Sequence, residues 1–147
     1  MPKLIFNITP KAIQSCRFGN GRAYQKADIT KWKKSIELMT IAQLPDDFKM
    51  MKGAVRIKRA VFVFSKSLEG FKKAEKEHLQ NGGYIYKTTK PDMTDNLFKG
   101  LIDAMSGIVY EADQLICHNA DTKKVWGLEP RIEIEFEEIN DLLINSI

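Results

Sequence analysis

Apolar residues along this chain follow two periods, and the elements follow from them. Leu4, Phe6 and Ile8 alternate with Lys3 and Asn7, and Ile132, Ile134 and Phe136 alternate with Arg131, Glu133 and Glu135. Successive side chains leave a strand on opposite sides, so each segment predicts a strand with one buried face. The stretch "AVRIKRAVFVFSK", residues 54–66, predicts a longer strand, with Val55, Ile57, Val61 and Val63 on one side and Arg56, Lys58, Phe62 and Phe64 on the other. "YIYKTTK" predicts a short strand ending at Pro91, and "QLICHNA" another. The helical period appears over residues 29–43, where Trp32, Ile36 and Met39 share a face opposite a lysine-rich one and Asp28 is placed to cap. It returns from about residue 93, where Leu97, Leu101, Ala104, Met105 and Ile108 form a stripe that Gly107 ends. A third, charged helix, "LEGFKKAEKEHLQ", stops at Asn81–Gly83. Four or five strands with two main helices and one minor helix predict an α+β domain, a single mixed or antiparallel β-sheet packed with helices, spanning residues 1–147.

Composition narrows the class. With 44% hydrophobic and 29% charged residues, 147 residues bury a core without staples. The longest apolar run, Ala60–Phe64, is far short of a membrane span, and "MPKLIFNITP" lacks the layout of a signal peptide. A cytoplasmic location with no membrane partner is the expectation. Cys16 and Cys117 stand in no metal-like spacing and read as reduced thiols. Charge is divided along the chain: residues 1–90 hold 19 basic against 7 acidic residues, a net of +12, and residues 91–147 hold 4 against 12, a net of −8. A basic half joined to an acidic half suits an enzyme that grips phosphates with one part and metal ions with the other, and it also suits two differently charged faces of any domain.

The candidate chemistry lies in "KPDMTDNLFKGLIDAM", residues 90–105. Two readings of its charges stand side by side. In the first they serve the helix: Asp92 caps it, Asp95 suits the positive end of its dipole, and Lys99 pairs with Asp95 or Asp103 one turn away. In the second, carboxylates crowded into one turn repel one another, and a hard divalent cation with oxygen ligands relieves them. Mg²⁺ on carboxylates, with Lys99 to orient a phosphate and a basic surface leading in, is equipment for phosphodiester hydrolysis. Asp113, in "YEADQLI", is placed to return to the same cluster.

The whole stretch "PDMTDNLFKGLIDAMSGIVYEADQLI" resembles the core signature of the RusA family of Holliday-junction resolvases. That signature is a Pro-Asp-x-Asp-Asn-Leu-x-Lys segment, an Asp-Ala pair a turn later, a glycine, and an acid before a strand. The opening strand, the basic loop "RFGNGRAYQK" and the helix after it are consistent, so the likeness covers most of the chain. It implies a small homodimeric, Mg²⁺-dependent endonuclease, often encoded by phages and prophages, that cuts four-way DNA junctions symmetrically in recombination and repair. No organic cofactor is implied. Asp92, Asp95 and Asp113 match the metal-binding acids, Lys99 the catalytic lysine, and Asn96 and Asp103 supporting positions. Two residues, Met93 and Thr94, separate the first two acids where the family has one. The family commonly has an acid beside the last one, where this chain has Ala112, so the resemblance offers Glu111 as a substitute ligand.

Lys11, Arg17, Arg22, Tyr24 and Lys26 flank the Gly19–Gly21 turn with the aromatic interleaving of a phosphate-gripping loop, or of a merely solvated one. Arg56, Lys58 and Arg59 make a weaker basic candidate, and Trp32 and Trp126 read as core or interface residues. Besides the nuclease, the sequence admits a non-catalytic DNA-binding protein of the same fold, and an interaction protein whose acids only cap a helix.

Overall fold

Alternation at the two ends of the chain builds the rim of a sheet. A computed structural model describes residues 2–12, 17–19, 22–24 and 27–147; for residues 17–19, 22–24 and 95 it describes the backbone alone. Strand β1 (Lys3–Phe6) pairs antiparallel with a strand at Arg131–Glu138, Leu4 opposite Ile134 and Phe6 opposite Ile132. Between them in sequence come β2 (Arg17–Gly19), β3 (Arg22–Tyr24), α1 (Ala27–Gln43), β4 (Val55–Phe64), α2 (Lys73–Gln80), β5 (Ile85–Tyr86), α3 (Phe98–Met105), β6 (Ile116–Asn119) and β7 (Thr122–Trp126), which makes the Arg131–Glu138 strand β8. The large sheet runs β1-β8-β4-β7-β5, with β6 also pairing β4. It is mixed, because β4 and β7 run parallel. The architecture is α+β, as the periodicity predicts, with a separate two-stranded ladder of β2 and β3.

The chain folds into two compact units, each made of three separate stretches. Met1–Pro10, Arg56–Lys90 and His118–Glu137 form a sheet unit, and Lys11–Val55, Pro91–Cys117 and Glu138–Ile147 form a helical unit.

In the sheet unit, Leu4, Phe6, Ile132, Ile134 and Phe136 are buried as their alternation requires. Each apolar side chain of this size removed from water contributes about 1.5–3 kcal/mol. Strand β4 departs from the expected two-faced pattern: Ala60, Val61, Phe62 and Val63 are all buried. Phe62 therefore does not share the wetness of Arg56 and Lys58: four successive residues are out of water, so both faces of β4 are buried over that stretch. Charges on β1, β4 and β8 pair across strands. Arg56 pairs with Glu137, Lys58 lies 3.7 Å from Glu135, Arg59 3.5 Å and Lys3 3.9 Å from Glu133, and Arg131 Nε donates to Glu133 at 2.9 Å. Burial alone raises the Glu133 carboxyl, but Arg131, Arg59 and Lys3 together hold it below the ordinary glutamate range.

In the helical unit, α1 begins at Ala27, so Asp28 lies in the first turn, where it meets Lys11 at 2.7 Å. Trp32, Ile36 and Thr40 are its buried face. Met39 is only half-buried; Thr40 takes the inner place, its hydroxyl donating to the Ile36 carbonyl at 2.7 Å. Helix α3 packs against α1 and buries Leu97 just before it, then Leu101 and Met105. Its end is a glycine stop, since Gly107 has φ +83°, which a side chain would strain.

Candidate active site

The start of the motif helix is not an α-helix. Met93–Leu97 form a π turn, in which the Leu97 N–H donates to the Asp92 carbonyl at 3.2 Å and the Phe98 N–H reaches the Met93 carbonyl. Each bond spans five residues instead of four, so the turn holds one more residue than an α turn would. The extra residue between Asp92 and Asp95 therefore has a place: it is taken up before α3 begins, and Leu97, Leu101 and Met105 keep their phase toward the core.

The charges at this turn are not absorbed by local structure. Asp92 occupies the N-cap position with φ −68° and ψ 138°, yet its side chain makes no capping hydrogen bond. Asp103 pairs across the helices with Lys33 of α1, at 3.4 Å. Among the described residues, no ion pair joins Asp92, Lys99 or Asp113 to another side chain, and all three are exposed. Asn96 is half-buried and Glu111 exposed. Asp95 belongs to the π turn, and its side chain lies outside the described residues.

Asp113 opens the short 3-10 turn Asp113–Leu115 just ahead of β6. The link back to α3 runs through Tyr110, a residue that periodicity alone did not single out among the tyrosines. Tyr110 is fully buried, its hydroxyl donates to the Ile102 carbonyl at 2.6 Å, and its neighbours are tied down by Gly107 N–H to the Tyr110 carbonyl and Glu111 N–H to the Met51 carbonyl. Burial pushes the phenol far up, and the negative charges of Asp113 and then Asp103 push it further. Two of the motif's acids thus bear on one buried group. Lys33 was equally unmarked in sequence, one lysine among three on α1, and only the packing of α1 on α3 gives it Asp103.

The donors here are carboxylate oxygens, the hard ligands that Mg²⁺ prefers. Among the described residues, no group of three or more His, Cys, Asp or Glu side chains stands ready to hold a metal; Asp95 is outside that statement. Of the basic-loop candidates, Lys11 is the one whose side chain is described, and its bond to Asp28 holds that exposed carboxyl below the ordinary range. Lys26 lies outside the described residues, as do the side chains of Arg17, Arg22 and Tyr24; the backbone of the last three forms the β2–β3 ladder, Arg17 opposite Tyr24. Cys117 is a free, exposed thiol, and the His118 Nδ1 accepts from Arg56 Nε at 2.7 Å. No helix among the described residues is long and apolar enough to cross a membrane.

Exposed carboxylates and a lysine that pair with no described side chain, at the start of α3 and again ahead of β6, suit phosphate-ester chemistry. Residues 6–137, nearly the whole chain, match a family described as endodeoxyribonuclease RusA, and the chain belongs to that family. It is also similar to YqaN of Bacillus subtilis (strain 168), described as an uncharacterized protein, at 27% identity over 124 residues, 82% of this chain and 83% of that one.

Proposed function

We propose that this protein is a Mg²⁺-dependent, structure-selective endonuclease that cuts four-way DNA junctions by symmetric phosphodiester hydrolysis, in recombination and repair. The observation that carries the reading is the idle N-cap: Asp92 caps nothing, and Lys99 pairs with neither Asp103 nor any other described acid. Residues that only stabilised the helix would be engaged in it. Asp92, Asp95 and Asp113 would hold Mg²⁺, which supplies an activated water and steadies the departing oxygen. Lys99, exposed one turn along, orients the scissile phosphate and offsets its growing charge. Asn96, Asp103 and Glu111 support the acids. The loop of Lys11, Arg17, Arg22, Tyr24 and Lys26 contacts the DNA, and Lys11 must leave Asp28 to do so. The two-fold symmetry of a junction asks for two such sites, hence a C₂ homodimer.

The competing reading is a DNA-binding protein of the same fold without catalysis, whose motive is the extra residue before Asp95. The π turn favours the catalytic reading, because it accommodates that residue without turning α3. Purified protein incubated with a synthetic four-way junction and Mg²⁺ tests the proposal. Paired nicks in opposite strands that vanish on chelation are expected. An intact junction bound with a steep salt dependence would instead favour the non-catalytic protein.

A further inference from the structure

The sheet unit treats two sets of cations differently. Lys3, Arg56, Lys58, Arg59 and Arg131 meet glutamates across the strands. Lys66 and Lys87 lie instead over aromatic rings, and Lys87 and Lys124 share a carbonyl oxygen. Lys66 Nζ lies 4.6 Å from the centre of the Phe71 ring and 4.5 Å from that of Trp126. Lys87 Nζ lies 4.5 Å from Trp126 and 5.2 Å from Phe64. The rings themselves pack edge to face, Trp126 with Phe64 at 6.4 Å and with Phe71 at 5.9 Å. Lys87 and Lys124 both donate to the Thr89 carbonyl, at 3.4 and 2.7 Å, and Lys87 also to the Lys90 carbonyl at 2.5 Å.

The local chain explains the gathering. Parallel pairing sets Phe64 beside Trp126 and, two residues earlier, Phe62 beside Lys124, so one side of β7 presents Lys124 and Trp126 together. Lys66 lies two residues past the end of β4, and Lys87 follows β5 directly. Rings and carbonyls hold an ammonium without cancelling its charge. Among the described residues, no ion pair joins Lys66 or Lys87 to a carboxylate. Burial first, and then the charges of Lys124 and Lys66, hold the Lys87 ammonium below the ordinary lysine range. Lys66, Thr88, Thr89 and Lys90 are exposed around it. Positive charge concentrated on an aromatic floor, with hydroxyls at its edge, is matched by a row of phosphodiesters.

We propose that the cluster of Lys66, Lys87 and Lys124 over Phe64, Phe71 and Trp126 is a contact surface for the phosphate backbone of DNA, made by residues outside the acid and lysine motif. The choice of DNA over an acidic protein rests on the nucleic-acid reading above. Lys87 is the internal pin of the surface, with 8% of its area exposed, Lys66 is its exposed charge, and Lys124 is half-buried beside them.

Binding of a plain DNA duplex, followed by fluorescence anisotropy over a salt series, tests this with the full chain. Lys66→Gln is expected to weaken binding several-fold and to flatten the plot of log affinity against log salt by about 0.9 for the phosphate contact removed. Lys66→Gln combined with Lys124→Gln should flatten it further, with unfolding curves recorded to confirm that both variants fold. Lys58→Gln, whose charge is already matched by glutamates, should leave the slope as it is. Wild-type slopes in the single and double variants would overturn the proposal. So would variants that keep the DNA slope and lose binding to polyglutamate, which would assign the surface to an acidic protein. A wild type that never cuts junctions, but whose slope still falls in Lys66→Gln, upholds this surface while the nuclease reading fails.

Discussion

The β1-β8-β4 ladder of the sheet unit and the motif of the helical unit handle charge in opposite ways. In the sheet unit the glutamates of β8 sit between basic residues of β1 and β4, and Glu133 alone draws Lys3, Arg59 and Arg131. In the helical unit Asp92, Lys99 and Asp113 are exposed with no ion pair among the described residues. The contrast teaches where to look for chemistry in a charged protein. Acids and bases that find each other across a ladder are parts of the fold, whereas exposed charges left unmatched beside a well-packed helix are available to something else. The division of the sequence into a basic and an acidic half points the same way but with the wrong boundary. Three glutamates of the acidic half serve the sheet, and the chain passes between the units several times.

The largest effect that would sharpen this contrast comes from the sheet core. Phe136→Ala removes a fully buried ring from β8 and should cost about 3–5 kcal/mol in urea unfolding. Lys99→Ala should do the reverse: stability changes by less than about 0.5 kcal/mol, because the side chain is exposed. Junction cutting in the same variant should fall about 10²–10³-fold in a single-turnover assay. A Lys99→Ala protein that unfolds early would break the contrast, since it would make the lysine structural.

Smaller effects probe each unit's details. Deleting Thr94, an exposed residue of the π turn, should let the turn revert to α and change stability by no more than about 1 kcal/mol, the scale of one hydrogen bond. Collapse of the fold on that deletion would show that the π turn does more than take up a residue. The carboxyl of Glu133 is held below its ordinary range, so its contribution to stability is present above the unfolded glutamate value and is lost as pH falls through the folded one. The stability gap between wild type and Glu133→Gln should therefore shrink as pH is lowered through and below the ordinary glutamate range, in thermal melts at fixed ionic strength. The smallest effect belongs to Lys58→Gln, whose ion pairs are partly exposed and worth about 0–1 kcal/mol.

Much of this was legible in the residues themselves. Strand β8 announces itself because every second residue is apolar and each of those is buried, and α1 and the stripe of Leu97, Leu101 and Met105 follow the helical period into the core. Strand β7 was not legible: Thr122, Lys123 and Lys124 show no alternation, and the strand exists because its register with β4 and β5 supplies the partners. The β2–β3 ladder read as an irregular basic loop, since strands of three residues leave no period to count. "YIYKTTK" yields only Ile85–Tyr86, because Lys87 turns inward to the Thr89 and Lys90 carbonyls. At the candidate site the residue types were legible and their relations were not. The π turn is a matter of backbone bonding, and the places of Lys33 and Tyr110 depend on packing between elements far apart in sequence.

On the proposed function, the unmatched charges of Lys99 and Asp113 are catalytic and dispensable to the fold. Wild type, Asp113→Asn and Lys99→Ala, matched for thermal stability and compared on one labelled four-way junction in Mg²⁺, test it most directly. All three should bind the junction, and only the wild type should cut it at an appreciable rate. Cutting by either variant at the wild-type rate would contradict it.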